Sequence, residues 1–168
     1  MDVVAATLAA HAHWPDAPTG VGFSMAMSQV WLARVPRLDV AFGRGYGEEV
    51  DWCQKTRKHG ARHVVQPRLF VEHVGGQSFG STEKLVRIRA AGKEISRRYP
   101  RYDGDVQKFM AADPLSTPRL ALAVAMAAEF ESPLPVFVAH SMGGWAEIAL
   151  MQEVAALGAA VVLRVGLH

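Results

Sequence analysis

Only one cysteine, Cys53, occurs among the 168 residues. That excludes an internal disulfide framework and any metal site built from cysteine alone, and it fits a reducing compartment. Long apolar runs are also missing. The longest, residues 120–128 and 154–163, fall short of the roughly 18–20 residues that a membrane-spanning helix needs. Neither sign of charge dominates: 18 Lys and Arg face 16 Asp and Glu, for a net charge of +2. That balance argues against a dedicated nucleic-acid binder. Asp2 stands near the N-terminus with no basic segment before the first apolar residues, unlike a signal peptide. What is present is a chain 50% hydrophobic and 20% charged, able to bury a core and long enough for one domain, or one domain plus a fragment. The expectation is a soluble, cytoplasmic protein.

Along the chain, residues 2–10 suit a short helix or an apolar arm, and 11–20, with Pro15 and Pro18, a loop. Phe23, Met25 and Met27 alternate at period two, which predicts an extended segment over 22–27, and Ser28 is placed to cap a short helix holding Val30, Trp31 and Leu32. A glycine-punctuated loop over 40–47 leads into the best-defined unit. Glu48, Glu49 and Asp51 open it, bases close it near Lys58, and His59-Gly60 follows; this charge order complements a helix dipole. Two β-like runs, 62–66 and 69–73, flank Pro67. A glycine-rich loop follows, then a long helix from Ser81 or Thr82 to near Pro100, with Leu85, Ile88, Ala91 and Ile95 on one stripe. Residues 113–118 read as a linker, 119–130 as a helix, and the remainder as strand, turn, helix and strand. Composition shifts near 115 from Arg- and Gly-rich to Ala-rich, which suggests domains of 1–118 and 119–168.

Several residues could carry chemistry. Glu48, Glu49 and Asp51 at a helix start give oriented carboxylates that suit a general base facing a hydroxyl; plain dipole compensation explains them equally simply. His73, after an apolar run and before a double glycine, suits one ligand of a divalent cation or a hydrogen-bonded core histidine. Cys53 beside Trp52 reads as packing. Asp103-Gly104-Asp105 looks like a metal-binding Asp-x-Asp, with helix capping the better reading. Ala139-His140-Ser141-Met142-Gly143-Gly144, between strand and helix, resembles the nucleophile elbow of α/β-hydrolases with Ser141 as nucleophile. Alanine stands where the first glycine belongs, too little chain follows for a complete triad, and His168 is an unusual base.

An ordered set of motifs carries a broader resemblance, over about residues 13–119. It comprises Val21-Gly22-Phe23-Ser24-Met25, then Ala41-Phe42-Gly43-Arg44-Gly45-Tyr46-Gly47-Glu48-Glu49-Val50-Asp51-Trp52-Cys53, then Gly60-Ala61-Arg62-His63-Val64. Phe70-Val71-Glu72-His73-Val74-Gly75-Gly76-Gln77-Ser78-Phe79-Gly80, Arg98-Tyr99-Pro100-Arg101-Tyr102 and Asp113-Pro114-Leu115 extend it. Together they resemble the C-terminal, acceptor-side half of a glycosyltransferase family 2 catalytic domain of the GT-A type. The tail from Pro135 is similar to the opening of a second glycosyltransferase domain.

The resemblance implies an α/β fold: part of a GT-A (nucleotide-diphospho-sugar transferase) sheet lacking the N-terminal nucleotide-binding half, plus a short strand-helix-strand tail. It implies inverting transfer of a sugar from a nucleotide-sugar donor to a glycan or lipid-linked acceptor in bacterial surface-polysaccharide synthesis. Glu49 matches the catalytic base, with glutamate where aspartate is more frequent, and Glu48 and Asp51 support the acceptor or the helix start. His73 matches a histidine that joins a divalent cation, Mn²⁺ or Mg²⁺, on the donor diphosphate, given a donor half to complete the site. Gly75, Gly76, Ser78 and Phe79 fall in the loop that closes over the donor and excludes water. Arg87, Arg89, Arg97 and Arg98 either contact phosphates or solvate a helix, the latter being the simpler reading. Further expectations are little activity from this chain alone, peripheral membrane contact and no nucleic-acid partner. A non-catalytic glycan- or partner-binding remnant is the alternative, and a serine esterase a more distant one. Absent sheet neighbours leave apolar edges exposed, which predicts self-association. Size-exclusion chromatography with light scattering checks this: mass rising with concentration is expected, and a clean monomer at high concentration counts against it.

Overall fold

The computed structural model describes residues 2–8, 14–43, 46–73, 81–140 and 144–166. The chain is a mixed α/β protein in which helices predominate. The helices are α1 (Asp2–Thr7), α2 (Gln29–Arg34), α3 (Glu48–Lys58), α4 (Ser81–Arg98), α5 (Tyr102–Ala112), α6 (Ser116–Ala128) and α7 (Trp145–Leu157). A 3₁₀ turn spans Val40–Phe42, and the strands among the described residues are β1 (Val136–His140) and β2 (Val161–Val165). Among the described residues no helix is long and apolar enough to cross a membrane.

The core is built around α3. Asp51, Trp52, Cys53, Gln54 and Thr56 are all buried on it, joined by Ala61, Ile95 and Tyr99. A helix buried on several faces yet rich in polar groups must find partners for each of them. It does so by tethering irregular segments. Trp52 donates its indole N–H to the Val35 carbonyl at 2.8 Å, and the Gln54 amide donates to Pro18 at 2.7 Å. The Gly20 N–H reaches Cys53 Sγ at 3.3 Å. Thr56 Oγ1 lies 3.0 Å from His63 Nε2 and also donates to the carbonyls one turn back. The segments around 18–20, 35 and 63 therefore take their positions from one helix.

The expected strand at 62–66 is reduced to an isolated antiparallel bridge, Asp16↔Val64. Two backbone hydrogen bonds support it, Ala17 N–H to His63 and Val65 N–H to Pro15. At one end Pro15 lacks the N–H that would complete the pair with Val65. Arg62 clasps Asp16 across the bridge with bonds of 2.9 and 3.0 Å. Residues 69–73 form no strand, and the segment 22–27 opens in a turn instead of an extended run. Period-two patterning alone does not make a strand when nothing pairs with it.

The Ser28 side chain does not cap α2; its backbone carbonyl accepts from Trp31 and Leu32 instead. The α4 stripe is covered only toward its end, with Ile95 buried while Leu85 and Ile88 stay exposed. Neither aspartate of Asp103-Gly104-Asp105 caps α5, whose N-cap is Arg101. Asp103 accepts from Ser96 Oγ at 2.7 Å, and Asp105 pairs with Arg57. The expected linker ends early: α6 begins at Ser116 and holds Pro118 in its first turn, where a missing N–H costs nothing. Beyond it, β1, α7 and β2 form a βαβ unit with parallel strands, Val136 opposite Val161 through His140 opposite Val165. Helix α1 packs on α6, and α4 on α5.

Removing one tether measures its weight. Trp52→Phe leaves the Val35 carbonyl without its donor and shrinks a buried side chain, so it should cost about 2 kcal/mol. A lowered urea midpoint with unchanged slope is the expected result.

Candidate functional site

Gly47, the N-cap of α3, has φ +98°. A side chain is excluded there on two counts. The backbone is left-handed, and an added Cβ would sit 2.9 Å from the Phe42 ring and 3.2 Å from Ala91 on α4. This close approach seats the helix start between the 3₁₀ turn and α4, and it fixes where the three acids of the first turn point.

The three diverge. Asp51 points inward and is fully buried. Its Oδ1 accepts from Tyr99 Oη at 2.7 Å and from Arg98 Nη1 at 3.0 Å, and its Oδ2 lies 2.6 Å from Lys55 Nζ. Arg98 also reaches Asp39 at 2.6 Å and Glu94 at 2.5 Å, and Lys55 reaches Asp39 at 3.4 Å. The result is a network of three carboxylates around Arg98 and Lys55 that joins α3, α4 and the segment before the 3₁₀ turn. Asp51 is thus committed to holding the fold, with Oδ1 hydrogen-bonded twice and Oδ2 ion-paired to Lys55. Arg98, expected to solvate its helix, is the centre of the network and also lies over the Phe42 ring, 4.9 Å from its centroid.

Glu49 is half-buried, and Oε2 accepts from the Gly47 N–H at 3.2 Å. The rest of its carboxyl lies beneath Gly22, where an added Cβ would stand 3.7 Å from its carboxyl carbon and 3.8 Å from Oε1. Its charge is felt one turn on, where burial first and Glu49 among the lesser causes raise the Cys53 thiol above its ordinary value. The Tyr102 hydroxyl is raised too, by burial first and then by Cys53 and Glu49. Glu48 is half-buried as well, and its Oε2 has no hydrogen-bond partner among the described residues.

His73 is exposed, which corrects the reading of a core histidine. Its ring stacks on Phe23 with centroids 4.3 Å apart and planes 16° from parallel. Because Gly22 lies over Glu49 and Phe23 stacks on His73, one short turn borders two residues 24 positions apart in sequence. Among the described residues no group of three or more His, Cys, Asp or Glu side chains is placed to hold a metal ion. His73 alone does not fit a bound cation. Gly75, Gly76, Ser78 and Phe79 lie outside the described residues, as do Ser141 and His168.

The residues that sequence reasoning missed are Asp39, Lys55, Glu94 and Tyr99. The spacings Asp51–Lys55 and Glu94–Arg98 are visible as i,i+4 pairs. Their joining through Arg98 to Asp39, 59 positions away, has no local signal.

The network gives a pH signature. Hydrogen bonds from Arg98 hold Asp39 down from 3.8 to about 2, and those from Arg97 and Arg98 hold Glu94 down from 4.5 to about 2. Both pKa values fall on folding, so the stabilisation is present above the unfolded values and is lost as pH drops from 4.5 toward 2. Burial, with Arg57 nearby, lowers His63 below 6.5, so its contribution fades as pH falls below that value. Urea midpoints should therefore decline in two stages on acidification. His63→Gln should remove the first stage and Arg98→Met should shrink the second. In comparisons with known proteins, this chain matches no family model, no curated protein and no solved structure.

Proposed function

We propose that this chain is the acceptor-side part of an inverting glycosyltransferase of the GT-A type, with Glu49 as the general base. The observation that carries this reading is the convergence of Glu49 and His73 on the turn at 22–23, with Asp51 withdrawn into the ion network. Of the three acids on α3, Glu49 is held by a single backbone N–H, at the covered edge of the helix start. A carboxylate in that setting keeps a lone pair for an incoming hydroxyl.

In the proposed reaction Glu49 takes the proton of an acceptor hydroxyl as the oxygen attacks the anomeric carbon of the donor sugar. The bond from that carbon to the nucleoside diphosphate breaks, and the diphosphate leaves with the bonding electrons. The sugar configuration inverts. The stacked Phe23–His73 pair supplies a flat surface against which a sugar ring can lie. Donor binding, with Mn²⁺ or Mg²⁺ where the reaction uses one, falls in this reading to a nucleotide-binding half supplied in addition to these residues. The acceptor is a glycan or a lipid-linked sugar, and a cytoplasmic location with peripheral membrane contact belongs to the same proposal.

Mass spectrometry of oligosaccharide acceptors incubated with UDP-, GDP- and dTDP-hexoses tests it. One donor–acceptor pair should show a small amount of added hexose, as expected of an acceptor-side part alone, and Glu49→Gln should lower that transfer by roughly 10²- to 10⁴-fold, the usual weight of a general base. Saccharide binding without transfer, unchanged in Glu49→Gln, would replace this reading with that of a non-catalytic glycan-binding protein. Neither binding nor transfer across the panel overturns it.

A further inference from the structure

Helix α3 ends far from Glu49. Nine residues separate it from Lys58, about 13 Å along the axis. At that end an open cleft of about 620 Å³ lies between the last turn of α3, the turn at 99–101 and the first turns of α5. Arg101, the N-cap of α5, stands at i with Asp105 and Lys108 at i+4 and i+7 on the helix, and this side lines the cleft with Arg57 and Lys58 of α3. The lining is strongly basic in a chain whose overall charge is only +2.

Not all of these cations are free. Arg98, at the cleft wall, is neutralised by Asp39, Asp51 and Glu94. Arg57 pairs with Asp105 at 3.1 Å and donates to Gln54 at 3.2 Å. Lys58, Arg101 and Lys108 have no carboxylate partner among the described residues. Lys58 Nζ lies over the Tyr99 ring, 4.8 Å from its centroid, held there by an aromatic face and not by an anion. Like charges gathered on one concave surface repel one another, and that cost is relieved when an anion enters. Two lysines offer rotatable point charges and Arg101 a planar fork, the combination suited to phosphoryl oxygens. The volume falls in the range of small-molecule sites, and the tyrosine rings at 99 and 102 give a wall for whatever carries the phosphate.

We propose that this cleft binds a phosphate ester bearing two or more negative charges, through Lys58, Arg101 and Lys108, with Asp105 as a gate that withholds Arg57. The proposal does not depend on the reaction assigned to Glu49. The diphosphate or phosphomonoester could be free in solution or displayed at a membrane surface, and the test separates the two.

Calorimetric titration of the full chain with pyrophosphate at low ionic strength is the first arm. Saturable one-to-one binding is expected. Arg101→Ala and Lys108→Ala, both at exposed positions, should each weaken it by about fivefold to tenfold, the worth of one charge-assisted contact. Asp105→Asn should tighten it several-fold, because it frees Arg57 and removes the one acid in the lining. Lys93→Ala, an exposed base on α4 outside the cleft, should change nothing. Melting curves confirm that each variant is folded. In the second arm, flotation with phosphatidylcholine vesicles containing phosphatidic acid, lost in the Arg101 and Lys108 variants, assigns the ligand to a membrane headgroup. Pyrophosphate binding without flotation assigns it to a soluble ester. Absence of saturable binding in both arms overturns the proposal, and so does equal weakening by Lys93→Ala.

Discussion

Arg98 is the hinge on which the described structure turns. Its guanidinium meets carboxylates from three separate parts of the chain: Asp39 before the 3₁₀ turn, Asp51 in α3 and Glu94 in its own helix. Burying Asp51 fully is costly unless its charge is matched and its lone pairs are occupied. Arg98 and the Tyr99 hydroxyl bond to its Oδ1, and Lys55 matches the charge at its Oδ2. Such a site tolerates little change, because losing one member leaves the others desolvated and unpaired. It therefore specifies how α4 crosses α3 more sharply than apolar contact would. That crossing is otherwise lightly packed: Ile95 and Tyr99 are its buried nonpolar members.

The remaining tethers follow from the same helix. Once α3 is fixed, Trp52, Gln54, Cys53 and Thr56 each hold a loop that has no regular structure of its own. Backbone hydrogen bonds that a sheet would have satisfied are replaced by side-chain donors and acceptors from a central helix. The turn at 21–24 belongs to this group, since the Gly20 N–H is bound to Cys53. Its neighbours Gly22 and Phe23 then lie over Glu49 and His73. The geometry of the proposed reaction centre is therefore a consequence of where α3 is anchored.

What the sequence made legible was local chemistry. The α3 boundaries were readable because acids, bases and a following glycine mark a helix dipole within eleven residues. The βαβ tail was readable because apolar strands and flanking glycines are near neighbours in sequence. Strands at 62–66 and 69–73 are suggested by β-like runs, yet pairing is a long-range property, and at the 62–66 segment Pro15 has no N–H to return the bond it accepts from Val65. The charged residues were harder still. Asp51 and Glu49 look alike in a linear motif, and the approach of Arg98 and Tyr99 from 47 and 48 positions away separates their roles. His73 could be read as core or ligand, because the ring that covers it comes from residue 23.

The two ends of α3 show that dipole compensation and function are not rival explanations. Glu48 and Glu49 sit where the helix carries partial positive charge, and Arg57 and Lys58 where it carries partial negative charge. Each set is favoured by the helix whether or not a ligand is present. What differs is what surrounds them. At the first turn the inner acid is consumed by cations and the outer ones are left with a backbone N–H or with no described partner. At the last turn one arginine is consumed by Asp105, and Lys58 is left facing Arg101 and Lys108 across the cleft. In both places a stable helix tolerates an excess of the charge its dipole prefers. That excess is the part of the charge pattern which folding does not use and which a bound hydroxyl or phosphate can.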